Sequence, residues 1–212
     1  MPVRPLALFV MLMALGMPER ARPSPVTWVA DLKRSELVVH VFKKGLLSGM
    51  AHDHHFAASD WSATARLDPA QPSEAHFEVI VAAGSLRDRQ PELSAKDLAK
   101  VNAQAVGPDV LDARRNPEIR FVSTEPVRGG GSAQPEGRIE GELAGTLSLH
   151  GRDRPLSVRV AASRDGDGWR ARGSARFKQS DFGIKPYSGF LGTIAVHDEV
   201  EVAYDLLLKP VR

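Results

Sequence analysis

Leu147-Ser-Leu-His-Gly-Arg-Asp-Arg-Pro-Leu-Ser-Val-Arg-Val160 consists of two alternating apolar/polar runs joined by a tight polar connection. Leu147 and Leu149 share one face of the first run, and Leu156, Val158 and Val160 share one face of the second. A period of two is the mark of a strand with one buried face, so the stretch predicts a β-hairpin that bends at His150-Gly151.

The same alternation extends outward in both directions. Upstream it carries Leu37, Val39 and Val41, then Trp61, Ala63, Ala65 and Leu67, then Phe77, Val79 and Val81. A short run containing Ile119 and Phe121 follows Pro117, and Leu143 and Gly145 continue the face of Leu147 and Leu149. Downstream come the run from Trp169 to Phe177 and a last one with Val200, Val202, Tyr204, Leu206 and Leu208 in register. Between the apolar positions stand polar ones, among them Glu78, Arg120, Ser148, Ser157, Arg159 and Glu201. About eight such strands, punctuated by turn signals, predict a mainly β chain whose antiparallel sheet closes into a barrel or folds as a sandwich. Asp165-Gly-Asp-Gly168 predicts a tight hairpin turn, because Asp-Gly tolerates positive φ.

One interval, near residues 94–115, breaks the alternation. Ser94 is placed to cap a helix with Asp97 in its first turn, and Leu98, Val101 and Ala105 fall on one helical face. Gly107 ends that helix, and Pro108 is placed to begin a second short helical turn. A helical insertion covering one end of the sheet is expected.

Composition narrows the function. Lys and Arg number 28 against 26 Asp and Glu, and no basic cluster interleaved with aromatics is present, so nucleic acid is not an expected partner. Cysteine is absent, which removes disulfides, thiolate metal sites and a Cys nucleophile. The apolar run from Leu6 to Gly16 is 11 residues long. A bilayer needs about 20, so the run fits a signal-peptide core, with Ala14-Leu15-Gly16 as the cleavage site and residues 1–16 removed. With no Cys to carry a lipid and no other long apolar segment, no permanent membrane anchor is expected. The remaining motifs are weak: no G-x-S-x-G elbow accompanies any Ser/His/Asp set, and Asp181-Phe-Gly183 stands without other kinase motifs. Phe182 is expected to anchor a bend in the core.

The ordered set of motifs resembles the YceI-like family. Asp109-Val with Asn116-Pro-Glu-Ile-Arg-Phe-Val-Ser123 is similar to the family's "D-V…Y-P-x-I-x-F-x-S". Gly145-Thr-Leu-Ser-Leu-His-Gly151 with Arg154-Pro155 is similar to "G-x-L-T-x-H-G" and the Arg-Pro that follows it. Ser180-Asp-Phe-Gly-Ile184 and the acidic-Val opening Asp198-Glu-Val-Glu-Val202 complete the series, in order, over residues 26–208. Two stretches depart from the pattern. The family's "K-H-x-G" segment is replaced here by a G-x-x-H-D-H loop, and "R-D-x-H-L" is reduced to Arg87-Asp88.

The resemblance implies a single eight-stranded antiparallel lipocalin-like barrel over residues 26–208, exported to the periplasm or secreted. It implies a non-enzymatic carrier of a long apolar lipid of polyisoprenoid, isoprenoid quinone or fatty-acyl type, with no cofactor required. The ligand would then lie against Val39, Trp61, Phe77, Val79, Val81, Phe121, Leu147, Leu149, Val158, Val160 and Tyr204. The same alternation also describes a barrel filled by its own side chains. A homodimer is left open. The alternative function is a metal-binding protein or metal-dependent enzyme built on His52-Asp-His-His55. If that stretch is a strand, His52 and His54 point the same way and could chelate one Zn²⁺ or Cu²⁺, with a third ligand from His40, His76, His150 or His197. The loop is expected at the barrel mouth with at least one imidazole facing the interior, where it would meet a lipid head group or, failing that, a metal.

Overall fold

In the computed structural model, residues 25–45, 52–68, 71–129, 138–189 and 193–211 are described. The 1–16 leader therefore lies outside the described residues, as does the start of the G-x-x-H-D-H loop. The elements in chain order are β1 (Val26–Ala30), β2 (Glu36–Lys44), β3 (His54–Ala58), β4 (Trp61–Asp68), β5 (Gln71–Ala82), β6 (Leu86–Asp88), α1 (Ala95–Val106), β7 (Glu118–Ser123), β8 (Arg138–Leu149), β9 (Arg152–Asp165), β10 (Gly168–Lys178), β11 (Ser188–Gly189) and β12 (Ile194–Pro210).

Antiparallel pairing runs β1–β4–β5–β7–β8–β9–β10–β12, and β12 pairs back onto β1, so eight staves close a ring. β2, β3 and β6 lengthen three of those staves. Along one edge of β12, β2 pairs from Ala195 to Asp205 and β1 takes over at Leu208. β3 continues β4 beside that stave, and β6 continues β5 beside β3. The three interruptions, at residues 31–35, 59–60 and 83–85, lie at one level of the wall.

At such a bend the ladder cannot satisfy every backbone group, so other donors and acceptors must. Leu207 N–H donates to Ser35 Oγ (2.9 Å) and Asp31 N–H to Leu207 O (2.8 Å). Ser59 Oγ donates to Ser85 O and Ser85 Oγ to Asp60 O, both at 3.1 Å. Small polar residues at 35, 59, 60 and 85 are what the bend requires.

The 147–160 hairpin forms as read. Leu149 pairs with Arg152 across His150 (φ 51°) and Gly151 (φ 69°), the two positive φ values of a type I′ turn. His150 is the one without a glycine's freedom, and its Nδ1 lies 3.1 Å from Phe182 O, which anchors the turn. The Asp165–Gly168 turn also forms, with Gly166 at φ 61°.

Two clusters plug the ends. Trp28, Leu67, Leu143, Trp169 and Leu208 fill the end where β1 begins and β12 finishes. Leu147, Leu149, Phe182 and Ile184 pack together at the opposite end, with the Phe182 ring edge-on to Phe177 at 5.3 Å. The Ser180–Ile184 motif is therefore a core-anchored bend, with Gly183 at φ 76°.

α1 forms as expected, with Ser94 Oγ accepting from Asp97 N–H at 3.1 Å. Val101 and Ala105 pack it against the barrel. The expected second helical turn after Pro108 does not form. Val110 and Asp112 N–H both return to Gly107 O (3.2 and 2.7 Å), and Asp112 takes φ 41°. Gly107, extended at φ −73° and ψ 175°, ends α1 at Val106, and the left-handed Asp112 cannot propagate a right-handed helix, so residues 107–116 are turns.

The β9–β10 ladder covers only Asp165–Gly168 through Ala161–Arg172. Beyond it the Arg159 carbonyl crosses over Gly173, where a Cβ would lie 1.8 Å from Arg159 O and 2.6 Å from Tyr204 Oη. Backbone cannot yield to that contact cheaply. Gly173→Ala is expected to destabilise the fold by about 3 kcal/mol, or roughly 6–12 °C in Tm by calorimetry. Gly84→Ala, with open space at its Cβ, is expected to change stability by no more than about 0.5 kcal/mol.

Candidate binding cavity

The ring encloses a cavity of about 220 Å³. β2 contributes Leu37, Val39 and Val41 to its wall, β5 contributes Phe77, Val79 and Val81, β9 contributes Leu156, Val158 and Val160, and β12 contributes Val200, Val202 and Leu206. Ala105 of α1 and Val110 and Leu111 after it close over the mouth end.

Among the described residues, two lining side chains carry polar groups, and both turn them into the wall. Tyr204 Oη donates to Arg159 O (2.7 Å), and Gln179 Nε2 donates to His197 O (2.9 Å). Burial pushes the Tyr204 phenol well above its usual range, so it stays protonated and donating.

Of the residues read as ligand contacts, Val39, Phe77, Val79, Val81, Phe121, Leu147, Leu149, Val158, Val160 and Tyr204 all border this cavity. Trp61 does not. It stands directly after the 59–60 break and is buried at the bend among Leu37, Phe56, Ala58 and Leu206. Residues between the lining positions pair on the outer surface, as with Arg120 Nε to Glu78 (2.7 Å) and Arg176 Nη2 to Glu201 (2.8 Å).

The histidine cluster stands at the mouth end, where β2 finishes and β3 begins. His52 lies before β3, so the two imidazoles do not share a strand face as expected. His52 Nδ1 is 2.9 Å from Glu92 Oε2 on the exposed side. His54 pairs in register with Val41 and lies two residues before Phe56, and both of those line the cavity, so His54 is on the inward face. Its Nδ1 is 2.6 Å from Asp88 Oδ2. His55 faces outward, with Nδ1 2.9 Å from His40 Nδ1. The remaining candidate third ligands are elsewhere: His76 pairs with Arg66, His150 is in the hairpin turn, and the His197 carbonyl accepts from Gln179. Among the described residues no three His, Asp or Glu side chains converge on a point that could hold a metal.

Asp88 is the residue that the sequence did not single out. Its side chain is fully buried, with 0% exposed. Oδ1 accepts from His55 N–H and Gln90 N–H, both at 3.1 Å, and Oδ2 accepts from His54. Its own N–H donates to Asn102 Oδ1 of α1 at 2.7 Å. The one sequence signal was the Arg87-Asp88 remnant of a family motif. Its partner lies 34 residues away, beyond any local pattern.

The comparisons with known proteins agree with this architecture. A family model described as "YceI-like domain" matches residues 28–208. The chain belongs to the YceI-like family. A UPF0312 protein of Pseudomonas savastanoi pv. phaseolicola is 27% identical over 157 residues, covering 69% of this chain and 72% of that protein. A UPF0312 protein of Pseudomonas aeruginosa is 36% identical over a shorter stretch of 83 residues, covering 36% of this chain and 39% of its own. Among solved structures, Burkholderia cenocepacia BcnA superposes with a TM-score of 0.66 at 22% identity, covering 84% of this chain and 98% of that one. A polyisoprenoid binding domain from Saccharophagus degradans gives 0.61 at 11% identity, covering 88% and 99%. These likenesses establish the YceI-like barrel for this chain.

The His40–His55 contact gives a pH signature. Partial burial, and then the facing His55, hold the His40 imidazole below its ordinary 6.5. The unfolded chain therefore binds more protons than the folded one just below pH 6.5, and stability drops as pH falls through that window. Thermal denaturation is expected to show Tm falling between pH 7.5 and 5.5, and His40→Gln is expected to shrink that fall.

Proposed function

We propose that this YceI-like protein is an exported carrier, periplasmic or secreted, for a long apolar lipid held inside its barrel. The ligand class is a polyisoprenoid, an isoprenoid quinone or a fatty-acyl chain. The observation that carries this reading is the cavity, whose lining among the described residues bears two polar side chains, both bonded into the wall. Such a site cannot orient a polar substrate, but it removes apolar surface from water at about 25 cal/mol per Å². A chain burying several hundred Å² would gain on the order of 10 kcal/mol before the entropy costs of association. No covalent step is needed. The S. degradans neighbour, described as a polyisoprenoid binding domain, supports the ligand class. The apolar run before Gly16 supports export.

Solvent extraction of the protein purified from periplasm, followed by mass spectrometry, is expected to release a long-chain lipid and to show a polypeptide lacking about the first 16 residues. Val79→Arg and Leu149→Arg place a charge in an apolar wall, which is costly, and are expected to abolish lipid retention. A lipid-free wild type that also fails to take up polyprenol in vitro would overturn the carrier reading. A full-length cytoplasmic product would overturn export.

A further inference from the structure

We propose that His54, oriented by Asp88, forms a head-group site at the rim of the cavity that selects lipids ending in an O–H donor over those ending in a bare carbonyl. The inference rests on the carrier reading and specifies its polar end. His54 stands on the inward face of β3, beside Val41 and above Phe56, and both neighbours border the cavity. Its side chain is 19% exposed, while that of Asp88 is 0% exposed.

Chemistry then fixes the imidazole's polarity. An ionised carboxylate only accepts hydrogen bonds, and Asp88 Oδ1 is already occupied by two backbone N–H donors. Oδ2 is left to accept from Nδ1, so neutral His54 carries its proton on Nδ1 and offers a lone pair at Nε2. This is the second-partner logic by which a carboxylate sets a histidine tautomer. Nε2 makes no hydrogen bond among the described residues. A ligand hydroxyl reaching the rim from a tail in the cavity can donate to it, whereas a ketone or quinone oxygen brings only lone pairs. Other polar groups near His54 among the described residues are engaged with one another. Asp53 Oδ1 accepts from Lys43 N–H, Asp53 O accepts from Gln90 Nε2, and His52 faces Glu92. His54 is the rim imidazole directed inward.

The test compares a long-chain polyprenol with the methyl ketone of the same tail, both titrated against the purified, delipidated protein. One net hydrogen bond corresponds to about a 3- to 10-fold preference for the alcohol in the wild type. His54→Phe is expected to bring the ratio to one. Asp88→Asn is the sharper variant. Its Oδ1 can still accept from His55 and Gln90 N–H, but its Nδ2 donates to His54 Nδ1 and forces the proton onto Nε2, so ketone affinity should rise and the preference disappear. The ¹⁵N shifts of the His54 imidazole, which need no ligand, are expected to report the Nδ1–H tautomer in the wild type and Nε2–H in Asp88→Asn. A wild type that binds both probes equally, or an Nε2–H tautomer in the wild type, overturns the head-group site and leaves the carrier reading standing. A wild type that binds neither probe overturns the carrier reading and this proposal with it.

Discussion

Closure of the ring depends on β12. Seventeen residues long, it takes β10 on one edge from Glu199 to Leu208 and divides the other edge between β2 and β1. A closed sheet has no unpaired edge, but here the stave beside β12 is broken at residues 31–35. The gap is bridged at Leu207, whose N–H and C=O are both taken, by Ser35 Oγ and Asp31 N–H. The neighbouring staves break at the same level, so the wall turns a corner there without exposing its hydrogen-bonding groups. Everything inside the barrel, including the cavity and its rim, is positioned by that corner.

The interior stays open because of where the large side chains stand. An eight-stranded barrel is just wide enough to be filled by side chains or to hold one small ligand. Trp28 and Trp169 fill one end, and Phe182 with Leu147 and Leu149 fills the other. Between them the walls carry many valines, among them Val39, Val79, Val158, Val200 and Val202, beside Leu37, Phe77, Phe121 and Tyr204. Short β-branched side chains suit a strand but do not reach across the ring. The aromatics thus act as plugs, and the valines leave the space that the plugs enclose.

Where period two governs, the sequence was readable. The 147–160 hairpin, its bend at His150-Gly151 and ten cavity-lining positions all follow from alternation, because each strand has one apolar face and closure turns that face inward. Alternation fails at breaks. Trp61 keeps the apolar phase of its strand, yet beside the interruption at 59–60 it packs into the bend with Leu37, Phe56 and Leu206 and is not itself among the lining residues. Asp112 likewise defeats a propensity argument, since the left-handed turn at that residue is set by local return bonds to Gly107. Long-range pairings left the weakest trace. Strand order and the His54–Asp88 contact join residues far apart in the chain, and nothing in the spacing of either residue announces the other.

The His54–Asp88 pair shows why a polar element can persist at the rim of an otherwise apolar barrel. A buried carboxylate is unfavourable unless its charge is compensated by hydrogen bonds. Asp88 meets that demand with donors from β3 and from the chain just after β6, while Asn102 of α1 holds its own N–H. The carboxylate ties β3 to the chain just after β6, and the backbone N–H of the same residue holds α1. Removing it would leave His54 unoriented, while the backbone bond from residue 88 to Asn102 of α1 would remain. Asp88 thus faces the rim with its side chain and holds the covering helix with its backbone, so the polar end of the mouth and the helix over it meet at one residue.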